Sequence, residues 1–559
     1  MQSRQYVLRI EGVNLGNVID DTDQLSVRRG GGLMILNAAT QLLELLPADV
    51  RSKFQVVPIS TGASIGLFEF EATSDSDAKN VQKAVEDAIK VGKLPYTSFD
   101  GTEKFLPLQH GTFVVDIAEV DSRNRVQQAE QLATAKNRWQ QLQQPTMSLD
   151  GVWREGTEPC VLDRTRVASP ERRDLNQEMK NQPVCDSTYD RWHYGRGARQ
   201  KFYDQELAQP AVEDSAFGPI LANAKFTNEL SEISGIPARS ATGERALFPV
   251  PKNLIDKLAV FYVDGNGFGE KGRRLFRDKG AEGFQKWSDS LRNHHRNLLK
   301  SLIVRADLDS LWQNNGLIRL ETLLWGGDEI VWVVPAWKGW ELAKWFFDHN
   351  HEIEVLGEKI PLTYGCGLVF SHTKAPIKNI VRLAQDLGDI SKQALPGENA
   401  IAYEVLESFD DISGDLEAHR AKFLPKKRLD DQDGLAAADD LRRLVIRASS
   451  LSANWQALNT IGKSREFPMR QLYLLTKAWR TQASVPNKAF DAATERVKAG
   501  ALAALSTSTV AEGGDEQTRV DDRLGQLLKD LGDPHGWLHL LQMSPYLPAE
   551  SIGPIEVQP

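Results

Sequence analysis

Apolar and polar positions alternate in the first ordered-looking stretch of the chain, YVLRIEGVNL (6–15), which predicts a short strand. RRGGG (28–32) reads as a glycine-rich turn, and LMILNAATQLLELL (33–46) has helical spacing. FQVVPI (54–59) and SIGLFEFEA (64–72) read as extended, joined at STGAS (60–64) by a hairpin turn. An amphipathic helix near 76–91, a strand GTFVVDIAEV (111–120) and a helix across 123–143 follow. Strand, helix, hairpin, helix, strand is a split βαβ plan, an antiparallel sheet with helices on one face.

The plan recurs. LAVFYVDGNGFGE (258–270) is a strand running into a glycine-rich loop, followed by a long helical stretch (281–304). LIRLETLLW (317–325) and EIVWVVPA (329–336) form a hairpin whose turn is GGDE, and helices across 338–349 and 376–394 flank a strand in PLTYGCGLVFS (361–371). IEGVNLGN (10–17) aligns with VDGNGFGE (263–270), placing Glu11 opposite Asp264, and TGAS (61–64) falls opposite GGDE (326–329). An internal duplication is the economical explanation. The fold class expected is therefore α+β, with a first module at 1–145, an irregular linker at 146–255, a second module at 256–412 and a helical C-terminal domain at 430–559.

Composition adds bounds. At 559 residues, 41% hydrophobic and 26% charged, the chain is ordinary globular protein with several cores. No apolar run approaches the ~20 residues that cross a bilayer, and MQSRQYVLRIEG is no signal peptide, so the chain is expected in the cytoplasm without a membrane partner. A net charge of −9 argues against a uniformly basic nucleic-acid binder. Two basic stretches, RWHYGRGARQK (191–201) and LPKKR (424–428), read as solvated surface. Three cysteines exclude a four-cysteine zinc site within the chain and leave Cys160 and Cys185, with His193, as candidates for a mixed one.

The candidate chemistry lies in the second module. Asp264 sits at the exit of an apolar strand, and the glycines after it let backbone approach a ligand. GGDE at 326–329 is pinned between LLW and IVWVV, where two adjacent carboxylates carry a desolvation and repulsion cost that a divalent metal offsets. The split βαβ plan puts the first strand beside this hairpin, so Asp264 and Asp328 can share a metal centre, and paired metals about 4 Å apart promote phosphoryl or nucleotidyl transfer. A solvent-exposed acidic turn is the alternative. A second GGDE at 513–516 lies among Ser, Thr, Gln and Arg and reads as a solvated loop.

VDGNGFG, then LLWGGDE about sixty residues later, TYGCGLVFSHTKAPI (363–377) and a helix ending in DISKQA together resemble the palm of nucleotide cyclases and polymerases. More narrowly, they resemble the large polymerase–cyclase subunit of type III CRISPR effector complexes, closely over 255–410 and weakly over 1–145. The resemblance implies two ferredoxin-like palms, the second catalytic, and a helical C-terminal domain. It implies Mg²⁺ or Mn²⁺ held by Asp264, Asp328 and the Gly265 carbonyl, with Glu329 as a further ligand or as the group orienting a 3′-hydroxyl. Asn266, Gly267, Phe268 and Gly269 would meet the triphosphate with Gly326 and Gly327 of the hairpin. Lys392 would neutralise phosphate charge, and Ser288 would lie near the base.

The implied activity is conversion of ATP to a cyclic oligoadenylate-like signalling nucleotide in antiviral defence, with guide and target RNA and other effector subunits as partners. Two departures stand out. The family usually ends its hairpin motif in Asp-Asp and this chain in Asp-Glu, closer to diguanylate cyclases. The chain also starts directly in the first module, so cleavage of DNA by an upstream His-Asp nuclease domain is not expected. A guanine-preferring dinucleotide cyclase and a non-catalytic nucleotide-binding scaffold are the competing readings. The first module, whose hairpin lacks carboxylates, is expected to be catalytically inert.

Overall fold

The computed structural model describes residues 3–62, 64–98, 101–120, 126–144, 151–173, 175, 179–208, 217–236, 250–406, 416, 444–464, 467–481, 487–506, 516–531 and 536–547. The first module is built on β1 (Arg4–Val13), α1 (Leu25–Thr40), β2 (Val57–Gly62), β3 (Ile65–Ala72), α2 (Asp75–Val91), β4 (Thr112–Val120) and α3 (Val126–Gln141). Its sheet runs β2-β3-β1-β4, the order of a split βαβ sheet. Ser74 starts α2 by accepting the Asp77 N–H at 3.1 Å, with Asp75 and Asp77 in the positively polarised first turn.

The second module repeats this order in β5 (Lys257–Gly265), α5 (Phe268–Leu308, broken at Gly280 with φ 70°), β6 (Glu321–Trp325), β7 (Glu329–Pro335), α6 (Gly339–His349), β8 (Tyr364–His372) and α7 (Ile377–Ala394). Its sheet runs β6-β7-β5-β8 and is extended by β9 (Ala400–Val405) and β10 (Val445–Arg447). The two hairpins agree in detail: each has a register break, around Ile59 and around Leu323, three residues before the turn glycines Gly62 and Gly326. Ala259, Phe261 and Val263 on one face of β5 join the main core, where Phe261 meets Phe346 of α6 at 5.3 Å. Leu258, Val260 and Tyr262 on the other face pack under α7. Each such fully buried side chain contributes roughly 1.5–3 kcal/mol.

Several expectations change. RRGGG is no turn: the glycines lie inside α1, because a second helix presses on them. That helix, α4 (Asp186–Ala208), runs through the region read as irregular. A side chain at Gly30 would sit 1.9 Å from the Arg191 carbonyl, and one at Gly195 would sit 2.0 Å from the Ser26 carbonyl, so the backbones touch through glycine on both sides. RWHYGRGARQK is likewise only partly solvated, with Lys201 exposed and six of its eleven residues buried. Arg191 and Arg199 are buried, and Arg191 pairs with Asp21 at 2.7 Å. The stretch 266–270 is a loop only to Gly267, which caps α5 at φ 67°.

The C-terminal region contains α8 (Ala448–Lys463), α9 (Met469–Thr481), α10 (Asn487–Ser506), α11 (Glu516–Asp530) and α12 (Gly536–Met543). It docks on the second sheet through Tyr403 Oη to His539 Nδ1 at 2.8 Å and Lys257 Nζ to Tyr546 Oη at 3.0 Å. LPKKR (424–428) and Gly513, Gly514 and Asp515 of the second GGDE lie outside the described residues. No helix among the described residues is long and apolar enough to cross a membrane.

Candidate active site

The alternation of β5 sends Tyr262 and Asp264 to the α7 face, and the antiparallel ladder sets Asp264 directly opposite Glu329 on β7 and Gly365 on β8. Gly327 and Asp328 form the tip of the β6–β7 turn, which Gly326 closes by donating its N–H to the Glu329 carbonyl at 2.9 Å. The Gly265 N–H donates to the Asp328 carbonyl at 2.9 Å, tying the turn to the end of β5. Asp264, Asp328 and Glu329 thus gather at one sheet edge from elements whose registers are fixed by buried strands.

Lys392 reaches this edge from α7. The helix lies close to β8 because Gly367 faces it: a side chain there would stand 1.8 Å from the Ala384 carbonyl. Gly388 makes room in turn for the Tyr262 ring, 2.6 Å from where its own side chain would begin. Lys392 Nζ pairs with Asp264 Oδ2 and donates to the Gly265 carbonyl at 3.2 Å. Tyr262 Oη donates to Glu329 Oε1 at 3.1 Å.

The electrostatics favour a cation. Asp328 is exposed at the turn tip, yet desolvation by the protein around its carboxyl first, and Asp264 second, push it above its ordinary range. Burial, then Asp264 and Asp328, do the same to Glu329. Burial and Glu329 also push the Tyr262 phenol up, which keeps it a donor. Three carboxylates and a backbone carbonyl face one ammonium, an all-oxygen donor set that fits Mg²⁺ or Mn²⁺. They do not form a tight cage by themselves. Among the described residues, the group of acidic, Cys or His side chains whose ligand atoms all approach within 4.8 Å is Cys160, Asp163 and Cys185 instead.

That group answers the mixed-zinc expectation in part. Cys160 and Cys185 do meet, but with Asp163, and His193 is not in the group. Thr188 lies 3.3 Å from both sulfurs, and Asp163 is already bound to Arg166 at 2.7 Å.

Among the described residues, three hollows lie around the site, the smallest of about 100 Å³ and lined in part by Gly326, Asp328 and Glu329. A cleft of about 740 Å³ is lined by Asn266, Gly267 and Lys392 with Lys271, Arg274 and Arg277. A cavity of about 600 Å³ between the modules is lined by Phe268, Gly269 and Ser288, by Gly326, Gly327 and Asp328, and by Ser60, Thr61 and Gly62 of the first hairpin. Ser288 Oγ lies 2.9 Å from Ser60 Oγ across it. The expected site residues are therefore divided: Asn266, Gly267 and Lys392 line the cleft, Phe268, Gly269, Ser288, Gly326, Gly327 and Asp328 line the cavity, and Asp264, Gly265 and Glu329 line neither. Asn266 departs further from expectation, since its N–H is spent on the Thr363 carbonyl at 2.8 Å and is not open to a ligand. Lys271, Arg274 and Arg277 were missed, although their three-residue spacing just after the glycine loop is a helical stripe readable in KGRRLFR.

The first module corrects the alignment by one residue. Gly12 donates to the Ser64 carbonyl at 2.7 Å as Gly265 does to Asp328, and Glu11 pairs with Ile65 as Asp264 does with Glu329. Ser64 and Ile65, not Ala63 and Ser64, stand for the two acids. Glu11 is buried and held by Arg9 and by Arg138 at 3.2 Å.

No protein-family model matches the sequence, and no curated protein matches it. Solved structures are similar. A Csm1–Csm4 cassette in complex with cA4 has a TM-score of 0.49 at 12% identity, over 98% of this chain and 70% of that one. Csm1 of T. onnurineus has a TM-score of 0.48 at 12% identity, over 97% and 70%. A Csm1–Csm4 cassette in complex with cA3 has a TM-score of 0.47 at 13% identity, over 97% and 70%. These structural neighbours of the chain are Csm1 subunits of type III CRISPR complexes.

Proposed function

We propose that the chain is a Mg²⁺- or Mn²⁺-dependent nucleotidyltransferase. It joins the 3′-hydroxyl of one ATP to the α-phosphate of another, releases pyrophosphate, and makes a signalling nucleotide of the cyclic oligoadenylate class. The observation that carries this reading is the convergence of half-buried Asp264 and Glu329 with Asp328, exposed at the turn tip, at one end of the sheet against a single lysine, beside a basic cleft. Such a cluster is costly without a cation.

Asp264, Asp328 and the Gly265 carbonyl are the ligands in this reading, and the bound ion would stabilise charge on the phosphate oxygens. Lys392, Lys271 and Arg274 draw the triphosphate into the cleft, at the N-terminus of α5 where Gly267–Gly269 begin the helix. The cavity beside Ser288 receives a base, and the first hairpin, without acids, shapes that cavity. The sequence resemblance extends the proposal to antiviral defence within an RNA-guided complex, activated by target RNA. The Asp328–Glu329 pair favours one second reading, a guanine-preferring dinucleotide cyclase.

Incubation of the protein with Mg²⁺ or Mn²⁺ and each labelled NTP, with and without RNA, followed by mass identification of products, tests these readings. An adenylate product is expected, lost in Asp328→Ala and kept in Asp515→Ala. A guanylate product selects the second reading. Tight nucleotide binding without product under any condition leaves a scaffold and sinks both.

A further inference from the structure

Glu329 stands where the family resembled by the sequence usually has Asp, and the structure shows what meets its extra length. The carboxylate is one methylene longer, about 1.5 Å of added reach, and its Oε1 takes a hydrogen bond from Tyr262 Oη at 3.1 Å. Tyr262 is two residues before Asp264 on the same strand and the same face. Its ring is buried under α7, seated against Gly388, so the hydroxyl has a fixed position at the sheet edge. Asp264 points to the same face and pairs with Lys392 rather than with Tyr262.

We propose that Tyr262 is a positioning residue for Glu329. Its hydroxyl holds the longer side chain toward α7, so that Asp264 and Asp328 remain the metal-binding carboxylates and Glu329 is left to orient the attacking 3′-hydroxyl. This rests on the nucleotidyltransferase reading. An Asp at 329 would fall short of Tyr262 with β7 in the same register, so the pair Tyr262–Glu329 acts as a unit. A hydrogen bond to an ionised group is strong enough for its loss to register as about a tenfold change in rate.

The test uses the full chain. Tyr262→Phe keeps the ring against Gly388 and removes the hydroxyl. With ATP and Mn²⁺, it is expected to lower kcat about tenfold and leave KM for ATP unchanged. Mn²⁺ binding with a non-hydrolysable ATP analogue, followed by the electron paramagnetic resonance of the free ion, is expected to stay native in Tyr262→Phe and to weaken in Asp328→Asn. In a Glu329→Asp background, Tyr262→Phe is expected to change kcat no further.

The same factor lost in both backgrounds, or Mn²⁺ binding weakened in Tyr262→Phe as in Asp328→Asn, overturns the assignment. A native protein that makes no product refutes the nucleotidyltransferase reading instead. The pair is then read from urea midpoints of Tyr262→Phe, Glu329→Asp and the double variant: non-additive shifts support the contact and additive shifts overturn it.

Discussion

Glu321, on the β6 strand that leads into the GGDE turn, is 1% exposed and is clamped by two arginines from other parts of the chain. Arg29 of α1 grips it with two bonds of 2.6 and 2.7 Å, and Arg199 of α4 adds one of 2.8 Å. The two arginines are 3% and 6% exposed. Burial works against both positive charges. Glu321 more than offsets it at Arg29, while at Arg199 burial, helped by Arg29, prevails and holds the group below its ordinary range. Glu321→Leu strands two cations in the core, which costs about 3–5 kcal/mol. Replacing the whole triad, with Arg29→Met and Arg199→Met, recovers most of this. It does not recover all, because the Gly195, Asn228 and Leu320 carbonyls lose their arginine donors. Urea unfolding followed by tryptophan fluorescence, reading midpoint and slope for each variant, measures both. A single variant within about 0.5 kcal/mol of native, a change too small for a stranded buried charge, or a triple variant worse than the single, refutes the reasoning.

Two shorter predictions follow. Gly367→Ala puts a methyl group 1.8 Å from the Ala384 carbonyl, so α7 must move off β8. A stability loss of about 1–3 kcal/mol is expected by calorimetry, with a larger loss of product as Lys392 withdraws from Asp264. His295, buried against Tyr364 Oη at 2.9 Å, is pushed down to about 3 by burial. The unfolded chain binds that proton at an ordinary pKa near 6.5 and the folded chain does not, so stability falls as pH drops from there toward 3. His295→Gln should flatten this slope in urea titrations at pH 4 and 7, and an unchanged slope contradicts the assignment.

The four-stranded split βαβ unit of each sheet and the meeting of Asp264 with the GGDE turn were legible because buried strands and tight turns leave a strong period-two pattern, whereas the short added strands β9 and β10 were not. What escaped were elements whose buried face does not read as apolar. α4 buries a wide arc that includes Arg191 and Arg199, so charged residues stand at positions where an apolar stripe would have marked the helix. The glycines of α1 looked like a turn because their reason, the α4 backbone, lies more than 150 residues away. The one-residue offset between the hairpins was equally invisible, since Thr61, Gly62, Ala63 and Ser64 hold no acid to anchor the alignment. Asn266 shows the converse limit: sequence places an N–H in a loop, and only the fold reveals that Thr363 has claimed it.

The position of α4 has a consequence for synthesis. Its Tyr194, Ala198, Phe202 and Tyr203 belong to the core that both modules share. As the chain leaves the ribosome, the first sheet is complete by Val120, yet the glycine face of α1 stays bare until α4 emerges. Arg29 and Arg199 then wait for Glu321, the last member of the triad to be made. More than a hundred residues separate Arg199 from Glu321, so the two arginines are made well before the carboxylate that pairs them in the folded protein. It arrives on the strand that leads into the candidate active site.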